Sequence, residues 1–149
     1  MPRPKSRRLI DSPPLFDSFK PTGVRGRDVV DLRMSLDEFE ALRLSDYERL
    51  SQDEAAAEMD ISRSTFSRLI ESARRKSSEF LIEGKRLIID GGPIHFKGNL
   101  FECRSCRSVF PARFGAVRVV CPQCGSTDLI DRAGEYGHGD CCSNSLMQH

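Results

Sequence analysis

The feature that most constrains this chain is a set of paired cysteines: Cys103-Arg-Ser-Cys106, fourteen intervening residues, then Cys121-Pro-Gln-Cys124-Gly125. Two thiolates two residues apart can grip one metal ion from a single tight turn, and two such turns complete a tetrahedron. Gly125, directly after the second pair, lets the turn tighten so that backbone N–H groups point at sulfur. Strand-like runs lie around the pairs at Leu100-Phe101-Glu102, Val117-Arg118-Val119-Val120 and Asp128-Leu129-Ile130. The spacing therefore predicts a small β zinc ribbon over residues 100–132, with Cys103, Cys106, Cys121 and Cys124 holding one structural zinc. Iron is the weaker alternative, because a rubredoxin-like site uses similar ligands but nothing nearby suggests electron transfer. Four cysteines close the coordination shell, whereas a catalytic zinc needs an open position. A domain of about 40 residues has too little core to fold alone, so metal binding should supply much of its folding free energy.

The remainder of the 149-residue chain is long enough for one more small domain and a linker. No stretch approaches the ~20 apolar residues that span a bilayer. The opening Met1-Pro2-Arg3-Pro4-Lys5-Ser6-Arg7-Arg8 lacks the apolar run of a secretory signal. The expectation is a cytoplasmic, nucleoid-associated protein in a reducing compartment, where paired cysteines more often hold metal than form disulfides. Net charge is only +1, but its distribution is uneven. Residues 1–34 carry eight Lys/Arg against four Asp/Glu, residues 35–60 two against nine, and residues 61–90 seven against four. Two basic segments flank an acidic one, which fits a protein presenting one edge to a polyanion and equally a merely solvated surface.

Residues 1–34 contain Pro2, Pro4, Pro13, Pro14 and Pro21 and read as an extended, partly ordered basic arm. Helical periodicity then runs from Leu36 to about Ile82, with Gly84 as a natural stop. Three helix starts follow one another within residues 35–84. Ser35 with Glu38, and Ser51 with Glu54, can each form a capping box, and Ser62 with Thr65 is a weaker version. The second helix is short, about Gln52 to Met59, and contains Ala55-Ala56-Ala57. A tight break at Met59-Asp60-Ile61 precedes a longer helix from Arg63. This is the layout of a helix-turn-helix, with Ala56, Ile61, Phe66 and Leu69 at the positions that must fill the gap between the helices. The turn position favours glycine, and Asp60 tolerates a left-handed backbone better than most residues.

In the third helix Phe66, Leu69, Ile70, Ala73, Phe80 and Leu81 predict a buried stripe. The opposite face carries Ser64, Ser67, Arg68, Glu71 and Arg75, with Arg63 and Thr65 at its shoulder. A recognition helix reads bases with its N-terminal residues in the major groove. The candidate DNA contacts are therefore Arg63, Ser64, Thr65, Ser67, Arg68 and Arg75, with Arg74, Arg75 and Lys76 placed nearer phosphates. The plainer alternative is a three-helix bundle whose charged face binds nothing, or a protein.

The runs Leu36-Asp37-Glu38-Phe39-Glu40-Ala41-Leu42-Arg43-Leu44, Leu50-Ser51-Gln52-Asp53-Glu54-Ala55-Ala56 and Met59-Asp60-Ile61-Ser62-Arg63-Ser64-Thr65-Phe66 resemble a prokaryotic family catalogued as domain of unknown function 134. Met1-Pro2-Arg3-Pro4, Phe19-Lys20-Pro21 and the Gly84-Lys85 to Gly91-Gly92 stretch match as well, so the resemblance covers residues 1–92. It departs from the pattern at Asp60, where Gly is usual, and at Tyr47-Glu48-Arg49. The resemblance implies a DNA-binding protein whose helix-turn-helix is similar to region 4 of bacterial sigma factors. It does not decide how the residues from Cys103 onward are used.

Leu87-Ile88-Ile89 before Asp90-Gly91-Gly92-Pro93 reads as a short strand and turn within a linker over residues 85–99. The tail, 133–149, is Gly-rich and polar and reads as flexible. Its His138, Cys141 and Cys142 are a candidate second metal or redox site, set against incidental ligands on a mobile tail, and His95 reads as structural. The whole is expected to be mainly α, a helix-turn-helix domain followed by a small β zinc ribbon. Its expected role is sequence-specific binding of double-stranded DNA in transcriptional regulation, as a monomer or homodimer and without a membrane partner. The rival reading is an adaptor docking on RNA polymerase or another protein, and a metal- or redox-responsive regulator is a third. No nucleophile–base pair or open metal site supports an enzyme.

Overall fold

The computed structural model describes residues 7–114, 116 and 118–138, and it divides into two compact units. The first comprises Met1–Ile10 and Phe16–Ile94, and the second Asp11–Leu15 and His95–His149. In the first unit β1 (Arg8–Ile10), β2 (Ser18–Phe19) and β3 (Asp31–Met34) precede α1 (Leu36–Leu42), α2 (Gln52–Glu58) and α3 (Arg63–Glu83), and β4 (Arg86–Ile89) closes it. β5 (Ile94–Phe96) lies where the chain passes from one unit to the other. The second unit is built on β6 (Asn99–Cys103), β7 (Val109–Ala112), β8 (Leu129–Asp131) and α4 (Arg132–Glu135).

The helices start where the side chains dictate. The Ser35 hydroxyl accepts from the Glu38 amide while the Glu38 carboxylate accepts from the Ser35 amide, and Ser51 and Glu54 repeat the box at α2. Ser62 caps α3 by accepting from the Thr65 amide at 3.2 Å. Asp60 takes the left-handed backbone expected at the α2–α3 break, with φ +54°, and Gly84 ends α3 at φ +64°. Between α1 and α2 the helix widens to a π-type turn over Arg43–Tyr47. The core of this unit is Ala41, Leu44, Ala55, Ala56, Met59, Phe66 and Ile70, with Leu42, Leu50, Ile61 and Leu69 packed against it. The stripe on α3 is shorter than its periodicity suggests. Leu81 is 72% exposed and Ile82 85%, because the stripe runs on past the part of α3 that α1 and α2 cover.

The basic N-terminal segment and the expected linker turn out to share a sheet. β4 is its central strand, antiparallel to β2 and parallel to β3, with Met34 opposite Ile89 and Asp31 opposite Arg86. The physical reason lies in β4 itself: Leu87 and Ile89 are buried, and a central strand must pair its backbone on both edges.

In the second unit the order is β7-β6-β8, antiparallel throughout. The partner of β6 is Val109-Phe110-Pro111-Ala112, where Phe110 stacks on Phe101 with centroids 6.1 Å apart. Residues 118–120 form no strand, contrary to the expectation from their β-branched run, and lead instead into the second cysteine turn. The tail also begins more ordered than expected. Ala133 is fully buried in α4, and the Oδ1 of buried Asn99 accepts from its amide at 2.9 Å.

Glu38 ties the helices together. Its carboxylate accepts from the Ser35 amide and hydroxyl, from Ser72 Oγ at 2.7 Å and from Lys76 Nζ at 2.8 Å. Burial acts to raise its pKa, but the bonds from Lys76, Ser72 and Ser35 outweigh it and hold the carboxyl below its ordinary range. A group depressed in the folded state contributes stability above its unfolded pKa and loses it as pH falls through the folded value. The denaturation midpoint of the helical unit should therefore fall as pH drops below the usual glutamate range. Glu38→Gln should lower the midpoint at neutral pH and flatten that acid dependence, which denaturant titrations followed by helical circular dichroism will show.

Candidate metal centre and nucleic-acid interface

The two cysteine turns are copies of one another. Cys103 ends β6, and the Arg107 amide donates back to the Cys103 carbonyl at 2.9 Å; Gly125 does the same to Cys121 at 2.9 Å. In return the Cys103 amide donates to the Ser108 carbonyl and the Cys121 amide to that of Ser126, each at 2.9 Å. The residue after each second cysteine is left-handed, Gly125 at φ +75° and Arg107 at φ +65°. The first turn thus adopts with arginine what the second adopts with glycine. The repeated Cys-x-x-Cys-x-Ser pattern carried this signal, although attention to Gly125 alone missed Arg107.

These turns bring all four sulfurs within 4.8 Å of one another. Cys103 lies 3.5 Å from Cys124 and Cys106 3.5 Å from Cys121, sulfur to sulfur. A tetrahedral ion with metal–sulfur bonds near 2.3 Å requires edges of about 3.8 Å, so the donor set fits such an ion. The thiols are free, with Cys103 and Cys121 buried and Cys106 and Cys124 exposed. The Ser108 hydroxyl, with the amides of Cys124 and Gln123, pulls Cys121 down to about 6. The Cys106 amide leads the groups that lower Cys103. At Cys124 the Ser126 amide acts to lower the pKa, but the Cys103 sulfur, burial and the other two sulfurs push it up to about 12. Four thiolates this close repel one another, and a cation among them removes that repulsion.

The candidate second site divides. His138 stacks on Phe114, with centroids 3.9 Å apart and planes inclined by 14°, and His95 stands 5.5 Å away, ring to ring. Burial first, then the neighbouring His95, lowers the His138 pKa against the opposing pull of Asp131. Cys141 and Cys142 lie outside the described residues. Among the described residues the four-cysteine group is the one cluster suited to a metal ion.

On α3, Arg63, Ser64, Arg68 and Arg75 are exposed, while Thr65 and Ser67 are half-buried. Arg63 lies 3.5 Å from Asp53. The Ser62 hydroxyl is within 3.2 Å of that of Ser64 and 2.9 Å of that of Thr65. Two of the cations expected near phosphates have partners within the chain, Arg74 at the exposed surface and Lys76 half-buried. Arg74 donates to both oxygens of Asp46 and to Ser45, and Lys76 to Glu38. The Arg74 pairing holds Asp46 below the usual carboxylate range, chiefly through the hydrogen bond. Arg68 and Arg75 stay exposed on one face of α3, seven residues apart and about 10 Å along the axis.

Fold and sites together define a two-unit protein: three helices on a small mixed sheet, and a β unit organised by four clustered cysteines. The chain belongs to the family described as protein of unknown function DUF134, whose sequence model matches residues 1–97. It is similar to a UPF0251 protein of Chloroherpeton thalassium, 42% identical over 131 residues that cover 88% of this chain and 87% of the relative. A UPF0251 protein of Moorella thermoacetica is 38% identical over 149 residues, covering 94% and 99%. One from Chlorobaculum tepidum is 41% identical over 144 residues, covering 93% and 73%. No solved structure matches the chain.

The cysteine geometry yields a direct test. Cys103→Ser should abolish stoichiometric metal in the purified protein and unfold the second unit, leaving the helical signal of the first unchanged. Elemental analysis paired with circular dichroism reads both; purified wild-type protein devoid of transition metal would contradict the site.

Proposed function

We propose that this protein binds double-stranded DNA sequence-specifically and regulates transcription, with no catalytic activity of its own. In this reading α2 and α3 form a helix-turn-helix whose α3 enters the major groove. The observation that carries it is the α2–α3 junction: a seven-residue α2, a left-handed Asp60, and a 21-residue α3. The first turns of that longer helix expose Arg63, Ser64 and Arg68. Arginine can pair bidentately with guanine in the major groove, and serine can serve either a base edge or a phosphate. The cysteine unit is read as a zinc ribbon holding one structural zinc, because an all-sulfur tetrahedral set suits zinc and leaves no open position for chemistry.

A second reading has one observation in its favour. A groove of about 540 Å³ lined by Phe39, Leu42, Arg43, Asp46, Tyr47 and Ser77 offers an apolar surface to a protein partner, RNA polymerase among them. In that adaptor reading DNA contact is incidental.

Two arginines of α3, Arg68 and Arg75, separate these readings. Arg68→Ala should cost about 1–3 kcal/mol on a preferred site and relax preference at one base position. Arg75→Ala should weaken binding about equally on every sequence, since its partner is phosphate. Affinities of wild type and both variants on selected and scrambled duplexes test the pair together. An Arg68→Ala protein with unchanged affinity and preference would move the adaptor reading ahead.

A further inference from the structure

The second unit contains the same turn twice, so each copy is a control for the other. Cys103-Arg104-Ser105-Cys106-Arg107 and Cys121-Pro122-Gln123-Cys124-Gly125 close with matching backbone hydrogen bonds and a left-handed fifth residue. Glycine is the residue that this fifth position favours, because a Cβ in the left-handed region crowds the following carbonyl oxygen. A Cβ placed on Gly125 would meet nothing within 4 Å, so that glycine answers to the backbone alone. Arg107 adopts the same conformation, at φ +65°, against its own preference.

Nothing inside the unit accounts for the exchange. The Arg107 side chain is 78% exposed, and its guanidinium stands 3.6 Å from Glu102, outside hydrogen-bond reach. Glu102 has a better-buried cation in Arg132, 17% exposed and 3.5 Å away. Arg104, the other arginine of the turn, is 61% exposed and 3.7 Å from Asp128. Exposed pairs this loose contribute little to stability. The Arg104 amide donates to the Asp128 carbonyl at 3.0 Å. That bond excludes proline, which stands at the matching place in the second turn, but it does not call for arginine. The first turn thus presents two cations where the second presents none.

The turn is also stiff. Its two cysteines belong to the four-sulfur cluster, and the Ser105 hydroxyl donates to that of Ser126 in the other turn at 3.1 Å. Donors held this way lose little freedom on binding. Two guanidiniums on a rigid turn suit an anion with several oxygens, as a nucleic-acid phosphate is.

We infer that the first cysteine turn is a phosphate-contact site, at which Arg104 and Arg107 hold the backbone of duplex DNA. It adds affinity that is blind to sequence. The inference rests on the DNA-binding reading above.

The test uses the full chain as purified, with the metal it carries. It compares wild type, Arg107→Gly, Arg107→Lys, Arg104→Gln, and Arg104→Gln combined with Arg107→Gly. Each is measured for metal content, for the rate at which a chelator removes the metal, and for affinity to preferred and scrambled duplexes over a salt series. Arg107→Gly should keep its metal and resist the chelator at least as long as wild type, because glycine relaxes the turn. It should nonetheless bind both duplexes about fivefold more weakly near ~0.1 M salt, with the salt slope reduced by about 0.9. Arg104→Gln should do the same, and the double variant should lose both increments. Arg107→Lys, which keeps the charge, should keep the slope. Metal retention that holds or rises while affinity falls is a combination that a purely structural arginine cannot produce. Faster metal loss from Arg107→Gly would assign the arginine to the thiolates as a counter-ion and overturn the site. Unchanged affinity and slope in the double variant, while Arg68→Ala or Arg75→Ala still weakens binding, would overturn the site and leave the DNA reading standing. An Arg107→Gly effect confined to RNA would overturn the assignment to DNA. No salt-dependent binding by wild type to any duplex would overturn the DNA reading and this site with it.

Discussion

Two adjacent carboxylates that water hardly reaches organise the first unit. Asp37 and Glu38 are 2% and 7% exposed at the start of α1. A buried charge without partners costs several kcal/mol, and removing one partner from a satisfied pair costs about 3–5 kcal/mol. Both are satisfied from elements distant in sequence: Asp37 by Arg8 of β1, Glu38 by Ser72 and Lys76 of α3. These bonds set the register between α1 and α3 and hold β1 against the same corner. Hydrophobic packing of Ala41, Phe66 and Ile70 brings the helices together, but packing is non-directional. The carboxylates supply the direction.

The exposed face of α3 follows from that arrangement by elimination. With Lys76 drawn to Glu38, the exposed cations of α3 are its arginines: Arg63 lies 3.5 Å from Asp53 and Arg74 2.7 Å from Asp46, while Arg68 and Arg75 stand beside them on the surface. The same pairs reinterpret the alternation of charge along the chain. Asp37, Glu38, Glu40, Asp46, Glu48 and Asp53 each lie within ion-pair distance of an arginine or lysine. The acidic middle segment is thus largely neutralised from within, and the basic segments around it are partly its counter-ions. Among the described residues, the cations that α3 presents at its surface are a narrow set of arginines.

Local signals were the legible ones. The three serine caps, the left-handed Asp60, the Gly84 stop and the cysteine spacing depend on residues within a few positions of one another, and each stands where the sequence places it. Pairings over long separations were not legible. Nothing in Pro-containing residues 16–34 announces that they supply both neighbours of β4, and nothing near Arg8 announces Asp37 as its partner 29 residues on. Leu81 fits a helical stripe by period but lies beyond the cover of α1, a limit that periodicity cannot express. Val119 and Val120 have strand propensity, yet Val109 and Phe110 reach β6 through a shorter loop and take the edge. Arg107 adopts a left-handed backbone because the cysteine turn demands it, against its own preference.

Whether the α3 face selects particular DNA sequences is met most directly in cells. Sequencing the genomic DNA that crosslinks to and co-purifies with the protein asks the question without assuming a site. If α3 reads bases, the recovered fragments will share a short motif, and this motif alone, in a synthetic duplex, will be bound in preference to its scrambled form. Uniform coverage of the genome, or recovery of no DNA alongside abundant protein partners, would contradict sequence-specific recognition by α3.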